Sequence, residues 1–221
     1  MKIRKFMALF AMVLAIVACE EKGEEPEKPA EVYDGTLTID ASDYTSWTYI
    51  NLKTGETQTL RDFSAWNYLV DGEVVETAAA QGSEADITID WQIAIHRYDI
   101  KTNGGSAVAT SETEMSAVTT MPTTGYEADE TTENTIITDM TGMMSGKVGY
   151  AASEKINSVL CGWLTKTATG AMPPYIYNPT NLIYVVKCKD GNYAKLKFTD
   201  YQSSTGTNGH VTFSYQFISQ Q

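Results

Sequence analysis

The stretch LIYVVKCKDGNYAKLKFT, residues 182–199, decides the fold class. Two runs with β-branched and aromatic residues flank Asp190-Gly191, a dipeptide that favours the tight turn of a β-hairpin. Polarity alternates along both runs, as it does on strands with one buried face. The pattern predicts that four lysines face water: Lys187, Lys189, Lys195 and Lys197. It predicts that the opposite face joins the core: Val186, Cys188, Ala194, Leu196 and Phe198.

Segments on both sides of this hairpin show similar β patterns. We predict strands at residues 36–40, 47–52, 87–99 and 211–217, with turns at 54–57 and 103–105. Residues 87–99 are expected to form one long extended run. Helix signals are confined to a short stretch around residues 153–164. The sequence therefore predicts an all-β fold, a β-rich single domain with few short helices, over residues 32–221, which is long enough for a sizeable core.

Residues 1–18 have the layout of a lipoprotein signal peptide. Three positive charges precede an apolar run that is too short to span a bilayer and ends in small residues. Ile16-Val17-Ala18-Cys19 fits the pattern recognised by lipoprotein signal peptidase, so we expect Cys19 to become the lipidated N-terminus. An ordinary secretory peptide and a transmembrane helix are the alternatives.

Residues 19–31 are charged, contain proline and offer almost nothing to a core. They are predicted to form a flexible acidic tether between the lipid and the domain. The expected location is the outer membrane of a Gram-negative-type cell, lipid-anchored and surface-exposed, with extracellular release by cleavage of the tether left open.

The charge balance excludes two classes of partner. The formal net charge is −12, and loss of the three positive charges in residues 1–18 takes it to about −15. Such acidity argues against nucleic acid and against electrostatic binding to anionic lipid. The lipid anchor is therefore the only membrane contact that we expect.

Residues for catalysis are sparse, and no metalloprotease, CxxC or phosphate-loop motif is present. His96 and His210 lie far apart in the sequence and are expected to be structural. Asp90 and Asp99 are expected to satisfy neighbouring polar groups. We predict that the protein is not an enzyme. Whether Cys161 and Cys188 pair or remain thiols is open, although Cys188 is expected on the buried side of its strand.

Methionine is concentrated in residues 106–177, which contain every methionine beyond the signal peptide: Met115, Met121, Met140, Met143, Met144 and Met172. The predicted strands elsewhere use Ile, Val, Leu and aromatic residues. Thioethers suit flat ligands and soft metals, and they can ligate haem iron. The alternative is that these residues only fill the core or lie in loops. Aromatic residues of the same region have the shape to flank a porphyrin or to stack on sugars: Tyr126, Tyr150, Trp163, Tyr175 and Tyr177.

Several blocks together resemble, in collinear order, the HmuY family of haem-binding lipoproteins. They include DWQIAIHRYDIKTNGG (residues 90–105), TTMPTTGY (119–126) and DGNYAKLKFTDY (190–201). Shorter blocks at residues 113–115, 162–164, 173–175, 181–186 and 211–215 complete the set. The resemblance covers most of residues 36–217.

The resemblance implies one domain that holds haem between two projecting loops, with one axial ligand from each loop. In the best-known branch both ligands are histidines, but neither His96 nor His210 falls in these loops. Other branches, which this chain resembles more closely, use two methionines. Carried over by position, the ligands are Met172 and one of Met143 or Met144.

We therefore expect a haemophore that takes haem from host or neighbouring haemoproteins and passes it to an outer-membrane receptor. Two thioether ligands would favour reduced haem, because a thioether is a soft and neutral donor. One alternative is a surface glycan-binding lipoprotein of a polysaccharide-uptake system, and another is a structural or adhesive surface subunit. The clustered methionines favour haem, since a glycan platform does not need sulfur.

Overall fold

A computed structural model describes residues 30–220. The predicted signal peptide, the predicted lipidation site Cys19 and nearly all of the predicted tether lie outside the described residues. Glu31, placed by the sequence at the end of the tether, is already the first residue of a strand and pairs with Ser219.

The described chain is all-β, as the sequence predicted. In chain order the strands are β1 (Glu31–Asp40), β2 (Ser46–Ile50), β3 (Thr57–Arg61), β4 (Trp66–Val70), β5 (Glu73–Ala78), β6 (Ile93–His96), β7 (Asp99–Thr102), β8 (Ser106–Ala109), β9 (Glu127–Ala128), β10 (Glu130–Thr132), β11 (Ile137–Asp139), β12 (Val148–Ala151), β13 (Glu154–Ile156), β14 (Leu164–Ala168), β15 (Tyr175–Pro179), β16 (Ile183–Lys187), β17 (Tyr193–Gln202) and β18 (Asn208–Ser219).

Helical structure in the described chain is brief. The one α-helix, α1, spans only Ser158–Cys161, and three 3₁₀ turns cover Glu84–Asp86, Met115–Ala117 and Met143–Ser145. The helix lies inside the predicted stretch 153–164, most of which instead forms β13 and the start of β14. Within residues 30–220 none of these helices is long and apolar enough to cross a bilayer.

Three larger antiparallel sheets form the body of the domain. One has six strands in the order β1-β18-β17-β16-β8-β9, and two have four strands each, in the orders β3-β2-β6-β7 and β11-β12-β4-β5. Two further pairs, β10-β13 and β14-β15, are separate two-stranded ribbons. The last of these ribbons carries the loop that contains Met172, and the sheet containing β11 and β12 carries the loop that contains Met143 and Met144.

The β2-β6 pair lies between two hydrophobic layers. Ile50 and Ile95 share the main core with Phe213 of the six-stranded sheet. The other face of the pair packs Trp47 and other side chains against Ala151 of β12. Both faces are therefore covered, which explains why residues 47–50 are continuously buried rather than alternating.

The predicted hairpin at residues 182–199 forms, with Val186 opposite Ala194. The predicted core face is buried. The prediction for Lys195 is wrong, because this side chain is buried and its Nζ donates to the carbonyl of Met115 at 3.2 Å. The segment around Met115 covers the outer face of this sheet, where Val118 packs on Val185. Alternation along the hairpin gave no sign of this second layer.

The single extended run predicted for residues 87–99 is also wrong. The strand begins only at Ile93, and the chain reverses after His96 to form β7. Arg97 adopts a left-handed conformation with φ 54°. Its buried guanidinium donates to the carbonyl of Ser42 at 2.8 Å and lies 4.3 Å from the centre of the Tyr44 ring. These tertiary contacts hold a turn that lacks the usual glycine or asparagine.

Candidate functional site

The first of two methionine-bearing loops, residues 140–147, joins β11 to β12. Its backbone is fixed locally: the Met143 amide donates to the Met140 carbonyl at 3.1 Å, and the Lys147 amide donates to the Gly142 carbonyl at 3.1 Å. A Cβ on Gly142 would lie 2.7 Å from the Lys147 carbonyl oxygen, so this close approach requires glycine. The loop therefore presents its side chains from a defined turn.

Asp139 anchors the start of this first loop. Its carboxylate accepts a hydrogen bond from the Thr141 amide at 2.8 Å and another from the Tyr68 hydroxyl at 3.0 Å. Partial burial acts to raise the pKa of Asp139, but these hydrogen bonds and the charge of Lys147 outweigh it and lower that pKa below 3.8. Asp139 is therefore an ionised structural anchor.

The second loop, residues 169–174, joins β14 to β15. The Thr169 amide donates to the Pro174 carbonyl at 3.0 Å, and the Thr169 hydroxyl donates to the carbonyls of Ala171 and Pro173. Gly170 has φ 69°, a conformation that favours glycine, and the Met172–Pro173 peptide bond is cis. This compact turn carries Met172.

Tyrosine rings connect the base of the second loop to the core. The rings of Tyr175 and Tyr177 lie 6.4 Å apart, and Tyr177 lies 4.9 Å from buried Tyr201. Lys166 of β14 donates to the Tyr98 hydroxyl at 3.0 Å. The second loop therefore projects from a ribbon whose base is packed against the domain.

The three methionines predicted as ligand candidates are all exposed. The exposed fractions are 50% for Met143, 94% for Met144 and 88% for Met172. Of the eight large hydrophobic side chains exposed within residues 30–220, five lie on or just after the two loops: Met143, Met144, Met172, Tyr175 and Ile176. Large apolar side chains held in water on both loops are available to a ligand.

The remaining methionines have different environments. Met115 and Met121 pack against Val118, Ile183 and Val185 in a small outer core, and Met140 is half-buried. For Met115 and Met121 the alternative of core filling therefore holds. The structure therefore separates the packed methionines from the exposed ones, a distinction that the sequence does not make.

The candidate aromatic flanks divide in the same way. Trp163 is fully buried and its indole N–H donates to the Tyr98 carbonyl at 3.0 Å, so it is not available to a ligand. Tyr126 packs against the outer core beside Tyr193. Tyr150 lies half-buried in β12. Tyr175 and Tyr177 follow the second methionine-bearing loop directly, in β15.

Both histidines lie outside the two loops. His96 is buried, and its Nε2 donates to the Tyr44 carbonyl at 2.7 Å while Nδ1 lies 3.7 Å from an Asp99 carboxylate oxygen. His210 lies 3.8 Å from Asp40. The structural roles predicted for His96 and Asp99 fit these contacts. No group of three His, Cys, Asp or Glu side chains suitable for a metal ion occurs in the described part of the chain.

Cys161 and Cys188 are not paired. Burial raises the pKa of each thiol to about 12. Both are free thiols that pack within the fold, and they do not form a disulfide with each other.

Two further surface features were not predicted from the sequence. Val74 and Val75 are exposed on β5, the edge strand of the sheet that carries the first loop. The β4-β5 hairpin itself turns at Asp71-Gly72, a dipeptide that would have identified it. The second feature is a cavity beside Trp91, whose lining comes from distant segments.

A family model for the HmuY protein matches residues 43–215, a range that includes both loops. The chain belongs to the HmuY family. The sequence resemblance is therefore confirmed. A comparison with curated proteins gives no match.

Three solved structures illustrate how this HmuY-family chain relates to others. The apo HmuY analogue of Tannerella forsythia is 44% identical, with a TM-score of 0.79, and the match covers 87% of this chain and 98% of that one. An HmuY-like haem-binding protein of Bacteroides vulgatus is 34% identical, with a TM-score of 0.65 and coverage of 82% and 90%. A lipoprotein of Bacteroides fragilis is also 34% identical, with a TM-score of 0.65 and coverage of 82% and 88%.

Proposed function

We propose that this HmuY-family protein binds haem between its two methionine-bearing loops. Met172 of the second loop and either Met143 or Met144 of the first would supply the axial ligands. The observation that carries this proposal is the exposure of these thioethers on two hydrogen-bonded loops, at the positions that the family resemblance marks. The relative from Bacteroides vulgatus, which is named as an HmuY-like haem-binding protein, supports haem as the bound molecule.

The donor chemistry fits an iron porphyrin. Thioether sulfur is a neutral, polarisable ligand that binds iron axially and favours the ferrous state. The exposed side chains around Met172, namely Tyr175 and Ile176, offer apolar surface that a flat macrocycle would remove from water. The acidic chain provides no general attraction for the propionates, so affinity would depend on ligation and apolar contact.

The protein would act by binding and release, without turnover. Lipidated at Cys19 and tethered at the outer surface of the outer membrane, it would accept haem from host or neighbouring haemoproteins and deliver it to an outer-membrane receptor. The Cys19 motif supports the anchor. The related lipoprotein of Bacteroides fragilis supports it as well.

Haem titration with and without dithionite tests the ligand assignment. We expect Met172→Leu to weaken ferrous haem binding at least about tenfold, since leucine keeps the apolar volume and removes the sulfur. The Soret band measures occupancy and its position reports the ligation state. Met121→Leu is the matched control, because Met121 packs in the outer core.

Single variants of the first loop distinguish its two candidate ligands. Met143→Leu and Met144→Leu should differ, with only one of them altering the reduced spectrum. Unchanged ferrous binding by Met172→Leu and by a Met143→Leu/Met144→Leu double variant would overturn the assignment.

A further inference from the structure

A cavity of about 390 Å³ lies away from both methionine-bearing loops. It is called the Trp91 cavity here, and its principal lining residues are Tyr49, Phe63, Trp91, Lys101, Asn103 and Glu154. They come from β2, β7, β13 and the connecting segments. The volume is at the lower end of the range of about 300–1,000 Å³ found for small-molecule sites.

One side of the Trp91 cavity is aromatic. The rings of Tyr49 and Phe63 are stacked at 5.6 Å, with an interplanar angle of 14°. Trp91 meets the Tyr49 ring edge-on at 5.0 Å. Phe63 and Trp91 are only half-buried, so each keeps accessible ring surface at the cavity. Such surface favours a ligand with an apolar face.

The other side carries charges that cancel. Lys101 and Glu154 form a buried ion pair at 3.1 Å, and Lys101 also lies 4.1 Å from the centre of the Trp47 ring. The remaining charged lining residues, Glu84 and Lys155, are again one acid and one base. A site with balanced charge gives no advantage to an ionic ligand. The uncharged polar side chains of the lining, apart from Tyr49 and Trp91, are Ser64, Thr102, Asn103, Thr131 and Ser153.

A buried hydroxyl at this cavity lacks a partner. The Tyr49 hydroxyl has no hydrogen bond to any described residue, although Tyr49 is almost wholly buried. Burial, with the nearby negative charge of Glu154, raises the pKa of this phenol far above its usual value, so the hydroxyl keeps its proton. Because the oxygen is closed to solvent, this unsatisfied hydroxyl is a cost to the fold and is not a contact for a ligand in the cavity.

We propose that the Trp91 cavity binds one neutral sugar residue of a glycan. A pyranose has an apolar C–H face for Phe63 and Trp91, hydroxyls for Asn103 and Glu154, and no charge to disturb the Lys101–Glu154 pair. This site is independent of the haem proposal, because its principal lining residues include no methionine and no residue of either loop.

Intrinsic tryptophan fluorescence tests the proposal in the haem-free protein. All four tryptophans are described, and Trp47, Trp66 and Trp163 are buried, so a change caused by ligand reports on Trp91. We expect D-galactose, D-mannose or N-acetyl-D-glucosamine to give a saturable change with a dissociation constant on the order of 1 mM. Saturation-transfer NMR would show which sugar protons touch aromatic rings.

Two substitutions separate binding from folding. Trp91→Leu should abolish the saturation-transfer signal as well as the fluorescence response, whereas Met121→Leu, outside the cavity lining and both loops, should retain both. Tyr49→Phe is the matched control: it should retain sugar binding and leave the ligand-free protein equally or more resistant to urea, because it removes an unpartnered hydroxyl that is closed to the cavity.

The source of the sugar is resolved by a second arm with matched ligands. The free sugar that binds is compared with a neutral polysaccharide and with a desialylated glycoprotein that present the same terminal residue. Tighter binding of either polymer identifies the carrier. No response to any of the three sugars, or binding of a zwitterionic amino acid in their place, would overturn the proposal.

Discussion

Two groups of methionines in this protein have the same chemistry and opposite surroundings. Met115 and Met121 pack in the outer core over the β16-β17 hairpin, and beneath their segment Lys195 is buried. Met144 and Met172 stand in water on two separate loops. A concentration of one residue type along the sequence identifies a region of interest. Only the environment of each residue shows whether it packs in the core or is available to a ligand.

Removal of all three exposed sulfurs should have the largest effect on haem binding. The variant Met143→Leu/Met144→Leu/Met172→Leu is expected to lose affinity for ferrous haem by about a hundredfold or more, because both axial donors are absent. Absorbance titration under dithionite measures this loss. Met115→Leu/Met121→Leu should bind like the wild type, and a loss of similar size in that control would erase the distinction.

Oxidation should sharpen the same contrast without mutation. Hydrogen peroxide converts a thioether to a sulfoxide, which is polar and no longer a soft donor. Peptide mass spectrometry should find Met144 and Met172 oxidised before Met115 and Met121, with ferrous haem affinity falling at least about tenfold. Prior loading with haem should slow oxidation of Met172, and equal rates at all sites would contradict the assigned environments.

The free energy of unfolding should depend more on the packed methionines than on the exposed ones. Met115→Ala should lower the free energy of unfolding by about 1–2 kcal/mol, because the side chain is only partly buried in the outer core. Met144→Ala should change it by less than about 0.5 kcal/mol, since its side chain lies in water. Urea denaturation measures both variants, and a larger cost for Met144→Ala would show that the first loop is packed.

The smallest expected effect concerns the anchor of the first loop. The pKa of Asp139 is lowered in the folded state, so its stabilising contribution is complete above the unfolded value of about 3.8 and is lost as the pH falls through the folded value. The contribution should be below about 1 kcal/mol because the group is only partly buried and its interactions are screened by solvent. Hydrogen exchange at the Thr141 amide should rise at low pH in the wild type but not further in Asp139→Asn.

The parts of the fold that could be predicted depend on local signals. The hairpin at residues 182–199 combines alternation with Asp190-Gly191, and the structure contains this hairpin. The turn at Arg97 could not be found in this way, because buried contacts with Ser42 and Tyr44 stabilise it rather than a turn-forming residue. Alternation also cannot show that a second layer covers Lys195.

The candidate site was predictable to a different extent. The family resemblance led to Met143, Met144 and Met172, and the structure adds that all three are exposed. The Trp91 cavity could not be predicted, since Tyr49, Trp91 and Glu154 are distant in sequence and meet only when the sheets pack. Neither the charge pattern nor the periodicity of the sequence indicates that these residues are close in space.

The two unpaired thiols have a consequence for how the protein can operate. With Cys161 and Cys188 both free, residues 30–220 are held together without any covalent cross-link. A strong reductant that converts iron to the ferrous form would therefore leave this scaffold intact. Under the proposed function, capture and release of haem would follow the oxidation state of the iron, with no disulfide in residues 30–220 for the reductant to break.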